Sequence, residues 1–148
     1  MAYCTQADLE NRLSPQILAS LCSDISGAES ANAAIVTAMI SKAQTLIDAT
    51  IKDAYDVPFT SVPDLVTSIA IDLACFYSLQ RRFSMMQISA DWLKVYDDAL
   101  ENLGKIANLQ LALDVAGVAT AVASAEADIV APDLKADFEN PDSHWSFF

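Results

Sequence analysis

Apolar residues recur along this chain at intervals of three and four, the mark of helices with one buried face. The cleanest stretch runs from about residue 31 to 54. There Ile35, Met39, Ala43, Leu46, Ile47, Ile51 and Ala54 form one side, and Ser41, Lys42, Gln44, Asp48 and Lys52 the other. Val57-Pro58 and Val62-Pro63 end it, because a proline biases the residue before it away from helix, so 56–62 reads as a short extended connection. Pro63-Asp64 opens the next helix with a proline and an anion at the positive end of the dipole. From Leu65 to Leu79 that helix is apolar almost all round, as expected of a central helix or one shared between subunits, and it stops at Arg81-Arg82. Residues 83–88, with Met85 and Met86, read as an apolar linker in which the methionines fill core. Ser89 then caps a last helix of roughly 90–107, striped by Trp92, Tyr96, Ala99, Leu103 and Ile106.

Two shorter helices precede these. Thr5 with Asp8 three residues later forms a capping-box-like start, and Leu9 and Leu13 share one face. Ser14-Pro15 restarts the pattern, with Ser14 as N-cap and Pro15 where no N–H is needed; Ile17, Leu18 and Leu21 supply its apolar face. The small polar run from Ser23 to Ser30 predicts a surface loop. After Asn108 the helical period fades. The expected architecture is therefore all-α: a small bundle of four to five helices over residues 1–108, followed by an extended C-terminal arm over 109–148.

Composition sharpens this picture. Acids outnumber bases 20 to 8 in the 148 residues, a formal charge of −12. The arm alone holds seven acids (Asp114, Glu126, Asp128, Asp133, Asp137, Glu139, Asp142) against Lys135. Such a balance argues against a free-standing nucleic-acid binder or a ligand of anionic membranes, both of which depend on lysine and arginine. Hydrophobic residues make up 53% of the chain, yet no stretch approaches the roughly 20 apolar residues of a membrane span. The opening MAYCTQADLE lacks the basic and apolar regions of a secretory signal. The apolar surplus instead predicts burial against other chains.

Catalytic chemistry finds little footing. Cys4, Cys22 and Cys75 are far apart and show no zinc-ligand spacing, so they read as buried thiols; no metal or cofactor site is expected. His144 lies in the arm, and Asp97-Asp98 diverge by about 100° on a helix, so they cannot face one substrate. Three glycines make no phosphate-cradling loop. Arg81-Arg82 either caps its helix with ordinary ion pairing or grips a phosphate or a partner carboxylate. Phe138, Trp145, Phe147 and Phe148 either fold back on the chain's own helices or anchor it in a pocket on another subunit.

These segments also carry a family likeness. MAYCTQADLENRL, AQTLIDATIKDAYDVPF, VPDLVTSIAIDLACFYSLQRR and VYDDALENLGKIAN together resemble the Mu-like bacteriophage head–tail connector proteins, over roughly residues 1–113. The matching positions include Tyr3, Asp8-Leu9, Leu46-Ile47-Asp48, Tyr55, Pro58, Pro63, Asp72, Tyr77, Arg81-Arg82, Tyr96 and Leu103. The pattern departs at Asn108, where a glycine is usual.

The resemblance implies a non-enzymatic neck adaptor of the virion, made in the bacterial cytoplasm. Copies of itself, twelve if they match the portal, would form a ring beneath the portal protein. A tail-completion or stopper protein would dock below, and DNA would pass through without specific binding. A closed ring is one heterologous interface repeated until the rotation closes. Its candidate subunit or portal contacts are Tyr55, Pro58 and Phe59 in the 56–62 connection, Arg81, Arg82, and the arm aromatics Phe138, Trp145, Phe147 and Phe148. The rival readings are an acidic regulator that occupies a basic groove on a nucleic-acid enzyme, and another neck ring protein, a stopper or tail terminator.

Overall fold

A computed structural model describes residues 1–83 and 86–114, and its regular elements are all α-helical. In chain order they are α1 (Gln6–Leu13), α2 (Pro15–Leu21), α3 (Ala33–Ile51), α4 (Asp64–Arg82) and α5 (Ala90–Ala107). Their starts follow the capping chemistry of the sequence. The Thr5 amide donates to the Asp8 carboxylate at 2.8 Å, and the Asp8 amide returns a 3.4 Å bond to the Thr5 hydroxyl. Ser14 closes α1 and caps α2; its φ of 87° turns the chain, and its ψ of 149° suits the proline that follows. Asn32 caps α3 and Ser89 caps α5.

α4 lies at the centre and packs against every other helix. Val66, Ile69, Leu73, Ala74, Phe76 and Tyr77 are all buried, which is why this helix needs no polar face. The buried Ser78 hydroxyl donates to the Ala74 carbonyl and accepts from the Cys22 thiol. Phe76 stacks on Tyr96 of α5 with ring centroids 4.2 Å apart. Among the described residues no buried side-chain nitrogen or oxygen lacks a partner.

Two expectations change. On α3 the buried stripe is Val36, Ile40, Ala43, Ile47 and Ile51, while Ile35, Met39 and Leu46 sit half-buried on its flank. The two stripes share Ala43, Ile47 and Ile51 and part only in the first turns, where Val36 and Ile40 are buried in place of Ile35 and Met39, so periodicity alone does not fix the centre of the buried face. Met86 does not fill core: it is 98% exposed. One compact unit runs from Met1 to Asp114. Leu109 takes a left-handed φ of 58°, the Gln110 and Leu111 amides bond the Lys105 carbonyl, and the chain turns back to bury Leu113. The rest of the expected arm lies outside the described residues.

Candidate interaction surface

Hydrogen bonds at the helix ends define two poles of the unit. Tyr55, just past α3, accepts a 3.1 Å bond from the Leu113 amide just past α5, so the C-terminal ends of those helices lie together. At the other pole the end of α4 meets the loop that leads into α3. Arg81 donates to the Leu21 carbonyl at 3.0 Å and pairs with Asp24, and Arg82 donates to the Ser23 carbonyl at 3.4 Å. Both arginines thus reach across to the chain's own 21–24 segment and not to the carbonyls of the helix they end.

The candidate contacts in the 56–62 connection divide. Pro58, after a cis Val57-Pro58 bond, is exposed. Tyr55 and Phe59 are instead core residues, 5% and 4% exposed. Their rings lie 6.3 Å apart, and Phe59 also meets Tyr3 at 5.8 Å. The Tyr3 hydroxyl accepts from the Phe59 amide at 3.2 Å and donates to the Asp48 carboxylate. Burial, then the Asp48 bond, push its pKa up to about 12. Phe138, Trp145, Phe147, Phe148 and His144 lie outside the described residues.

Surface chemistry is uneven. Ile25 (75%) and Phe83 (42%), each next in sequence to a clamp residue, are exposed, as are Met86 (98%) and Ile17 on α2 one turn before Leu21. The tyrosine pole presents Asp53, Asp56, Pro58 and Asp64, along with Met1 and Leu109. Along the side of the bundle, Arg12 pairs with Asp72 at 3.1 Å and lies over the Trp92 ring at 5.1 Å. An open cleft of about 260 Å³ beside it is lined by Asp8, Asn11, Arg12 and Ile71. Lys42 covers the Tyr77 ring at 4.2 Å.

Reactive groups are withdrawn from this surface. Burial raises the Cys4 and Cys75 thiols to about 12, which keeps them as neutral apolar side chains. Asp97 and Asp98 are both exposed on α5. Among the described residues no group of three or more His, Cys, Asp or Glu could hold a metal ion, and no helix is long and apolar enough to cross a membrane.

Residues 3–131 match the family model described as bacteriophage Mu, Gp36. The chain belongs to the bacteriophage Mu Gp36 family. It is thus a phage protein. No curated protein matches it. The Gp36 match takes in all five helices and begins at Tyr3, the residue that ties the N-terminus to the α3–α4 connection. Sequence reasoning did not assign roles to Tyr3, Asp48 or Arg12, since their partners lie 45 to 60 positions away. It also missed the exposed group of Ile25, Phe83 and Met86. The available signal was an apolar residue inside a loop, Ile25 in SDISGAES and Phe83 after the paired arginines.

Proposed function

We propose that this Gp36-family chain is a structural component of the virion neck, a head–tail connector that assembles as a ring beneath the portal. The observation that carries the reading is the exposure of large apolar side chains on a small, otherwise closed helical unit. Among the described residues every buried side-chain nitrogen and oxygen has a partner, yet Ile17, Ile25, Phe83 and Met86 are left in water. A group of this kind marks an interaction site, and in a phage protein of this size the natural partner is another particle component. The chain acts as scaffold, not as catalyst. Its charge of −12 keeps the passing genome from adhering, because like charges resist contact.

The test is assembly with purified portal, followed by light scattering and electron microscopy. The adaptor reading expects portal-dependent rings whose copy number matches the portal, twelve in the simplest case. It further expects weaker binding when Ile25, Phe83 and Met86 are changed together to serine. Failure to bind portal, with tight binding to a nuclease or polymerase, would replace it with the acidic-regulator reading. Binding to the bottom of an existing neck ring, and not to portal, would favour the stopper or tail-terminator reading.

A further inference from the structure

Three segments remote in sequence meet at the tyrosine pole: the N-terminus at Tyr3, the α3–α4 connection at Tyr55 and Phe59, and residues 109–114 beyond α5. Two attachments hold the last of these. At its root the Gln110 and Leu111 amides bond the Lys105 carbonyl, and at its far end Leu113 is buried with its amide on the Tyr55 hydroxyl. Between and beyond them Gln110, Ala112 and Asp114 are exposed. Tyr55 is itself kept in place by Phe59, and Phe59 by the ring and hydroxyl of Tyr3. The contacts form one unbroken physical chain, the kind of network through which coupling travels.

We infer that residues 109–114 are a releasable strap whose hold is set by the α3–α4 connection, with Tyr55 as the latch and Tyr3 as the group that fixes the latch. Loosening the connection frees the strap while the five helices stay closed. The Asp56–Pro58 tip, exposed at Asp56 and Pro58, lies between Tyr55 and Phe59, so a partner seated there acts on the latch directly. The device thus joins the accessible face of the connection to the point where the chain leaves the helical unit. It stands whether or not the connector reading does, because its test needs no portal.

Hydrogen exchange on the full chain decides it, with two variants that keep the ring and lose only the hydroxyl. Tyr55→Phe speeds exchange of the Leu113 amide about tenfold, the change expected of one lost hydrogen bond, with α3, α4 and α5 unchanged. Tyr3→Phe speeds exchange at Phe59 and, through Tyr55, at Leu113. Coupling is reciprocal, so Leu113→Ala, which loosens the strap from its own side, speeds exchange at Phe59. This third variant carries the test if Tyr3→Phe fails to fold. The proposal is overturned if Tyr3→Phe leaves Leu113 unmoved, if Leu113→Ala leaves Phe59 unmoved, or if the helices open along with the strap.

Discussion

The two poles of the helical unit are closed by different chemistry. At the tyrosine pole, Tyr3, Tyr55 and Phe59 bring apolar rings inward and two of them bring a hydroxyl as well, so one set of side chains both fills space and satisfies Phe59, Leu113 and Asp48. At the arginine pole, closure comes from guanidinium groups on the Leu21 and Ser23 carbonyls and on Asp24. A guanidinium keeps its charge near water, so this pole is pinned without being filled, and Ile25 and Phe83 remain outside. One pole is closed by rings that fill space and the other by guanidinium groups, and exposed apolar side chains occur at both, Met1 and Leu109 at the first and Ile25 and Phe83 at the second.

The sharpest way to break that contrast is to truncate a ring at each pole. Phe59→Ala should cost about 3–5 kcal/mol, as for other buried phenylalanines. Phe83→Ala, 42% exposed, should cost far less in the same denaturant titration. Equal costs would mean that both poles are core. Next in size, Arg81→Met keeps the aliphatic stem but removes the bonds to Leu21 and Asp24. A loss of about 1–3 kcal/mol is expected, with faster amide exchange confined to residues 21–32.

Alkaline pH sharpens the tyrosine pole. Tyr3 stands at about 12 against 10.0 in an unperturbed tyrosine. A raised pKa stabilises the fold fully below the unfolded value and ceases to do so as pH climbs through the folded one. The melting temperature should therefore fall between pH 10 and 12, and Tyr3→Phe should flatten that fall. Cys4 and Cys75, raised from 9.0 to about 12, extend the same loss down to pH 9. Smallest of all, Met86→Ser should change stability by no more than about 0.5 kcal/mol while reducing the binding of an apolar dye. An unchanged dye signal would place the apolar surface elsewhere.

Much of the fold is legible in the sequence because its signals are local. Thr5 with Asp8, Ser14 with Pro15, and Ser89 each sit within four residues of the helix they start, and the prolines at 58 and 63 bound the α3–α4 connection without reference to distant partners. The candidate contacts were less legible. Tyr55 and Phe59 stand in a proline-flanked connection, the usual place for a surface aromatic. Only the arrival of Tyr3 and Leu113 from the two ends of the unit turns them inward. Arg81 and Arg82 show the same limit: two adjacent cations after a helix read as caps or as an anion grip, and in the fold they hold the 21–24 segment.

The amino-acid sequence by itself determined that this phage chain folds as a small bundle of four to five helices, the one from residue 63 to 82 apolar almost all round, because periodicity, capping residues and prolines act over a single turn. It also determined a strongly acidic molecule with apolar side chains in excess. Only the tertiary structure decided where the centre of α3's buried face lies and which aromatics serve the core. Those outcomes depend on contacts between residues 45 to 60 positions apart. Helical spacing determines which side chains share a face, but not what that face will meet.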